Sequence, residues 1–144
     1  MQIDETDHAV LALLQENARL PVATLARRLG LARTTVQARL DRLETTGVIQ
    51  GYAVRLNDSL RAPLRATVLV SIEPRTAPAV LARLKSLKQV QRVHTTSGRW
   101  DLIVTVEADT TEGLDETLDN IGDAKGVRSS ESLIHLSTKI DKGR

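Results

Sequence analysis

A chain of 144 residues that is 41% hydrophobic and 26% charged, with only 8 Gly and 4 Pro, is neither collagen-like nor low-complexity; its length allows one ordinary domain or two small ones. It contains no cysteine, which removes disulfides, thiolate nucleophiles and Cys-ligated zinc. Its 20 Lys+Arg against 18 Asp+Glu leave a formal net charge of +2, too small by itself to indicate a polyanionic partner.

The first third has helical periodicity throughout. Asp4 is placed to cap a helix with Asp7 three residues on, followed by Val10, Leu11 and Leu14 on one face. That helix is expected to end near Asn17–Arg19, ahead of Pro21. A second, Val22 to Leu29, turns Leu25 and Leu29 inward and stops at Gly30, where a left-handed residue is natural. A third, from Arg33 to Thr46, carries Val36, Leu40 and Leu43 at i, i+4, i+7 and ends at Gly47. Three short helices with a Gly-containing turn between the second and third make a helix-turn-helix pattern.

Val48 to Leu56 is β-prone, and the turn-rich stretch Asn57–Pro63 predicts the boundary between a domain at 1–60 and one at 61–144. Leu64, Ala66, Val68, Val70 and Ile72 then alternate as a strand. Thr76 caps a helix with Pro78 in its first turn and Leu81, Leu84 and Leu87 inward. Val90–Thr96 is a second strand, and the turn Ser97-Gly98-Arg99 leads to a third, with Trp100, Leu102, Val104 and Val106 on one face. Leu114, Leu118 and Ile121 line the last helix, and Val127–Thr138 closes the set. The fold class is α+β: a winged helix-turn-helix of three helices plus a β linker, then a ferredoxin-like βαββαβ unit. Strands rich in Val, Leu and Ile leave a second sheet face that dimerisation would cover.

Charge is placed unevenly. Six arginines (19, 27, 28, 33, 39 and 42) share the span Arg19–Arg42 with one acid, Asp41, while Glu112–Asp123 holds five acids and no base. With Val36 facing the core, the opposite side of the third helix presents Thr34, Thr35, Ala38 and Arg42, flanked by Gln37, Arg39 and Asp41. Recognition helices put their N-terminal residues on base edges, so Arg33, Thr34, Thr35, Gln37 and Ala38 are the candidates for the major groove of double-stranded DNA. Thr24, Arg28, Arg39 and Arg42 suit phosphates, which position a protein without reading sequence. The scarcity of aromatics (Tyr52, Trp100, no Phe) argues against a base-stacking platform for single strands or RNA.

In this order and spacing, Asp4-x-x-Asp7, Asn17-Ala18-Arg19, Leu25-Ala26-x-x-Leu29-Gly30-Leu31, Val36-x-x-Arg39-Leu40, Leu43-Glu44 and Gly47-Val48-Ile49-x-Gly51-Tyr52 resemble the DNA-binding module of the Lrp/AsnC (feast/famine) family of prokaryotic transcriptional regulators. Thr95-Thr96-x-Gly98-x-Trp100-Asp101 and Gly126-Val127 are similar to that family's ligand-sensing domain, so the resemblance covers essentially the whole chain. Two positions depart from it: Ala32 stands where the family usually has a capping Ser, and the Gly often found after the linker is missing around Arg61-Ala62-Pro63.

The resemblance implies a pocket for a small effector, an amino acid or similar molecule, between subunits, with Thr95, Thr96, Ser97, Gly98, Arg99, Trp100 and Asp101 around it. Backbone N–H groups beside Gly98 suit a carboxylate and Asp101 an ammonium; a plain tight turn, in which Asp101 bonds amides, is the structural alternative. It also implies a homodimer and a higher oligomer such as an octamer. The expected function is a sequence-specific regulator whose assembly or DNA binding responds to the effector; the alternative is a nucleoid-type, architectural DNA-wrapping protein without one. His8, His94 and His135 share no ligand spacing, so no metal is expected. No nucleophile with a base and no phosphate loop is evident, so neither a cofactor nor an enzyme is expected. Asp101-Leu102-Ile103 does not resemble the tetrapyrrole decarboxylases that share this architecture. The longest apolar run, Ala9–Leu14, cannot span a bilayer, and the acidic start is unlike a secretory signal; a cytoplasmic protein with no membrane partner is expected.

Overall fold

The computed structural model describes residues 2–143. Backbone contacts divide the chain between Val54 and Arg55 into two compact units.

The first unit contains α1 (Glu5–Glu16), α2 (Val22–Leu29) and α3 (Arg33–Thr45). α1 opens on a reciprocal capping box, in which the Asp7 N–H donates to Asp4 Oδ1 at 2.8 Å and the Asp4 N–H to Asp7 Oδ2 at 3.3 Å. Gly30 ends α2 with φ +66°, and the Leu31 N–H returns to the Ala26 carbonyl at 2.9 Å. That is the Schellman closure a left-handed glycine permits, and it sets the tight turn into α3. Val10, Leu14, Leu25, Ala26, Val36, Leu40 and Leu43 form the core.

The β-prone stretch after Gly47 does not pair as a strand. Val48 and Ile49 fold back onto the helical core, the Ile49 N–H donating to the Leu43 carbonyl at 2.9 Å. Tyr52, Val54 and Leu56 are exposed on unpaired backbone. β propensity expresses a fit to a pleated surface, and among the described residues no other strand lies against this one. The expected β wing is therefore corrected to an extended linker.

The second unit runs β1 (Leu64–Ile72), α4 (Ala77–Ser86), β2 (Val90–Thr95), β3 (Leu102–Ala108), α5 (Thr111–Gly122) and β4 (Val127–Ile134). The sheet is antiparallel in the order β2-β3-β1-β4, with Val68 opposite Val104 on one side and Ser132 on the other. This is the expected βαββαβ arrangement. One face is buried: Ala66, Val68 and Val70 of β1 and Leu102, Val104, Val106 and Ala108 of β3 pack with Val80, Leu84, Leu114 and Ile121 of the two helices.

Five local expectations change. The inward residue of α4 is Val80, while Leu81 is 38% exposed; with Leu84 shared by both stripes, the turn preceding the helix decides between them. Thr76 stands at the N-cap, but its hydroxyl donates to the Glu73 carbonyl at 2.6 Å instead of accepting from the helix. Trp100 is half-buried and precedes β3, and β4 stops at Ile134, opposite Ala66 near the start of β1. The second sheet face is less apolar than expected. Leu69, Ile103 and Leu133 form a narrow strip among Thr67, Ser71, Thr105, Ser129 and Glu131.

Candidate functional site

α3 presents the anticipated face. Thr34, Thr35, Ala38 and Arg42 are exposed and, with half-buried Arg39, line one shallow concavity. A second depression at the start of the helix brings Thr24 and Arg33 together with Ala23, Arg27, Leu31 and Ala32. Arg28 is exposed on α2 but lines neither, and Gln37 lies on the flank with its amide donating to Asp41 at 2.8 Å. Ala32 offers no side-chain cap, so the first-turn N–H groups of α3 have no such partner. Hydroxyls, guanidinium forks and a small apolar residue on one convex helix can bond base edges and phosphates of a duplex.

Arg39 and Arg42, expected at phosphates, already hold carboxylates of α1. Arg39 donates through one nitrogen to both oxygens of Asp4 at 2.7 Å and to Asp7 at 3.1 Å, and Arg42 donates to Asp7 at 2.6 Å. The Asp7 side chain has no solvent exposure, whereas those of Arg39 and Arg42 are 26% and 47% exposed. Sequence reasoning missed this cluster, although a signal was present: Asp7 occupies the same α1 stripe as Val10 and Leu14, where a charge demands a partner.

The Arg39 guanidinium, aided by the Asp7 N–H, lowers the Asp4 carboxyl from 3.8 to about 2. A carboxylate whose folded value lies below its unfolded one stabilises the fold fully above the unfolded value and ceases to do so as pH falls through the folded one. Asp4's support for the first unit is therefore expected to fade between about pH 4 and pH 2. Acid titration of helical circular dichroism checks this: Asp4→Asn should flatten the loss in that window, and an unchanged profile would contradict it.

The residues from Thr95 to Asp101 are brought together as a turn joining β2 to β3. Gly98 has φ +99°, a backbone conformation side chains rarely adopt. The Thr96 N–H donates to the Asp101 carbonyl at 3.0 Å and its hydroxyl to the Trp100 carbonyl at 2.6 Å. Asp101 Oδ2 accepts the Ile72 N–H at 2.9 Å, so one carboxylate oxygen is committed to β1. The Arg99 guanidinium stands 5.3 Å from the Trp100 ring centroid, within cation–π range. Thr95, Thr96, Ser97, Arg99 and Trp100 line a concavity whose floor is Leu69 and Ile103. Those two floor residues were also missed; the β1 and β3 alternation that buries Val68 and Val104 assigns both to the opposite face. The arrangement offers hydroxyls, a cation and an apolar floor, a set that suits a small carboxylate with an apolar side chain; Asp101 does not line it.

His135 Nε2 lies 2.8 Å from the Thr67 hydroxyl, while His8 and His94 are exposed. Among the described residues no three His, Asp or Glu come together in a way that could hold a metal, and no helix is long and apolar enough to cross a membrane.

Comparison with known proteins matches both halves. Residues 3–44 fit the AsnC-type helix-turn-helix domain and residues 65–144 the Lrp/AsnC ligand binding domain. The transcriptional regulator FL11 of Pyrococcus abyssi is 27% identical over 96% of this chain and 92% of its own length. The solved structure of Escherichia coli AsnC superposes with a TM-score of 0.85 at 25% identity, covering 99% of this chain and 97% of that one. The transcriptional regulator NMB0573 of Neisseria meningitidis, solved in complex with L-Met, gives 0.84 at 26% identity, covering 97% and 94%. The helix-turn-helix with its exposed α3 face falls in the first matched segment and the Gly98 turn in the second, and the chain belongs to the Lrp/AsnC family of transcriptional regulators.

Proposed function

We propose that this protein is a homo-oligomeric, sequence-specific regulator of transcription in the cytoplasm, with no enzymatic activity, whose assembly or DNA binding responds to a small effector, an amino acid. Residues 1–60 serve as the DNA-binding domain and 61–144 as the effector-sensing and oligomerisation domain. The observation that carries the reading is the exposed stripe Thr34–Thr35–Ala38–Arg42 on a helix otherwise seated in a core. Arg33, Thr34, Thr35, Gln37 and Ala38 read bases; Thr24, Arg28, Arg39 and Arg42 meet phosphates. The strip Leu69–Ile103–Leu133 on the uncovered sheet face supports pairing of two copies, which joins two weak modules into one stronger binder. An effector that sits over Leu69 and Ile103 at the Gly98 turn fits the same face, and the L-Met complex of the Neisseria regulator favours an amino acid.

Binding to a selected operator and to a random duplex over a salt series tests the DNA reading. A large preference for the operator supports it, and equal affinity points to architectural wrapping. Arg33→Ala should reduce that preference by about 1–3 kcal/mol for the base pair it contacts; an unchanged footprint and preference would remove Arg33 from the reading face. A thermal-shift screen against the amino acids, with sizing of each hit, tests the effector.

A further inference from the structure

Asp7 is the one acidic side chain among the described residues that is fully buried, and it faces the helix that carries the DNA-reading stripe. Its capping-box role engages Oδ2 with the Asp4 N–H; capping alone does not require burial against two guanidinium groups of α3. Arg42 donates to it through a single nitrogen, leaving the rest of a five-donor fork on a side chain that stays 47% exposed. Arg42 also lines the concavity with Thr34, Thr35 and Ala38. Arg39 is the more enclosed of the pair, its bonding nitrogen shared between Asp4 and Asp7.

We propose that Asp7 is a positioning residue for DNA binding: it fixes the Arg42 guanidinium by one edge so that the other edge is presented, pre-oriented, to a backbone phosphate. This rests on the reading that α3 enters the groove. A free arginine must surrender rotamer entropy when it orders on a phosphate; one already held by a buried carboxylate has lost most of it during folding. The anion's cost to DNA affinity is offset because both of its oxygens are neutralised by guanidinium groups.

The proposal reverses the sign expected from charge alone. Asp7→Asn removes a negative charge near DNA, so long-range attraction by itself would tighten binding. Loss of positioning instead weakens it. In fluorescence anisotropy with a labelled random-sequence duplex, Asp7→Asn in the full chain should bind about tenfold more weakly near 0.1 M salt, with the salt slope reduced by about one unit. Arg42→Ala should do the same, and the double variant should be no worse than Arg42→Ala alone, because the two act through one contact. Arg42→Lys covers the case in which Asp7→Asn unfolds the first unit. A lysine's single ammonium, taken up by Asp7, has no second edge for phosphate, so this variant should fall toward Arg42→Ala despite its retained charge.

Binding by Asp7→Asn equal to or tighter than the parent, or Arg42→Lys equal to the parent, overturns the proposal while the DNA reading stands. Failure of the parent chain to bind duplex DNA overturns both.

Discussion

Leu43→Ala is expected to unfold the first unit while the second remains intact. Leu43 has no exposed surface and is seated in α3 among Val36, Leu40 and the residues of α1 and α2. Its truncation removes buried methyl groups and leaves a void that so small a core closes poorly, a loss of about 2–5 kcal/mol. A three-helix unit of this size has little more stability than that. The chain's aromatics provide a clean readout: its one tryptophan, Trp100, lies in the second unit, whereas α1, α2 and α3 lie in the first. Helical circular dichroism should show an early transition in Leu43→Ala, with the fluorescence transition of Trp100 held near its parent temperature. DNA binding should disappear with the first transition. If both probes shift together, the two units unfold as one and the expectation is wrong.

The elements that sequence reasoning placed well are those whose cause is local. Asp4 announces a helix cap, Gly30 a left-handed stop, and the Ala66–Val68–Val70 alternation a strand, because each signal spans only a few residues of chain. The exposed face of α3 followed from the same logic, since Val36, Leu40 and Leu43 define its opposite. What escaped was tertiary. Arg39 and Arg42 are 32 and 35 positions from Asp7, and nothing between them in sequence says that α1 and α3 bring them together. The linker was misjudged for a related reason: Val48–Leu56 has strand composition, but a strand exists only against a partner. In α4 the choice between Val80 and Leu81 is a rotation of one residue, which composition cannot settle when both are apolar. The turn between β2 and β3 was legible through Gly98, while Leu69 and Ile103, which line the concavity beside it, depended on knowing that β1 and β3 are neighbours.

Gly126→Ala is expected to cost about 2–4 kcal/mol, because two independent penalties coincide. Its φ of +98° lies where a side chain is strained, typically by about 1–3 kcal/mol. A Cβ there would also stand 2.7 Å from the Thr76 Cβ and 2.9 Å from Val80 Cγ2, atoms at the start of α4 with little freedom to retreat. Relief requires the loop to move, and the loop is tied to the end of β1. The Gly126 carbonyl accepts the Glu73 N–H at 2.7 Å, and Val127 opens the β4 ladder against Ile72, where the register shifts. The Ile72 N–H in turn donates to Asp101 Oδ2. One backbone segment, Ile72–Glu73, thus joins the Gly126 turn to the Gly98 turn. Gly126→Ala should therefore lower the Trp100 unfolding temperature and also weaken any thermal shift produced by an amino-acid effector. Leu114→Ala, a core truncation in α5 without that connection, is the control: it should lower stability and leave the effector shift near its parent size. Equal weakening of the effector shift by both variants would show that stability alone governs the response and that Gly126 has no path to Asp101.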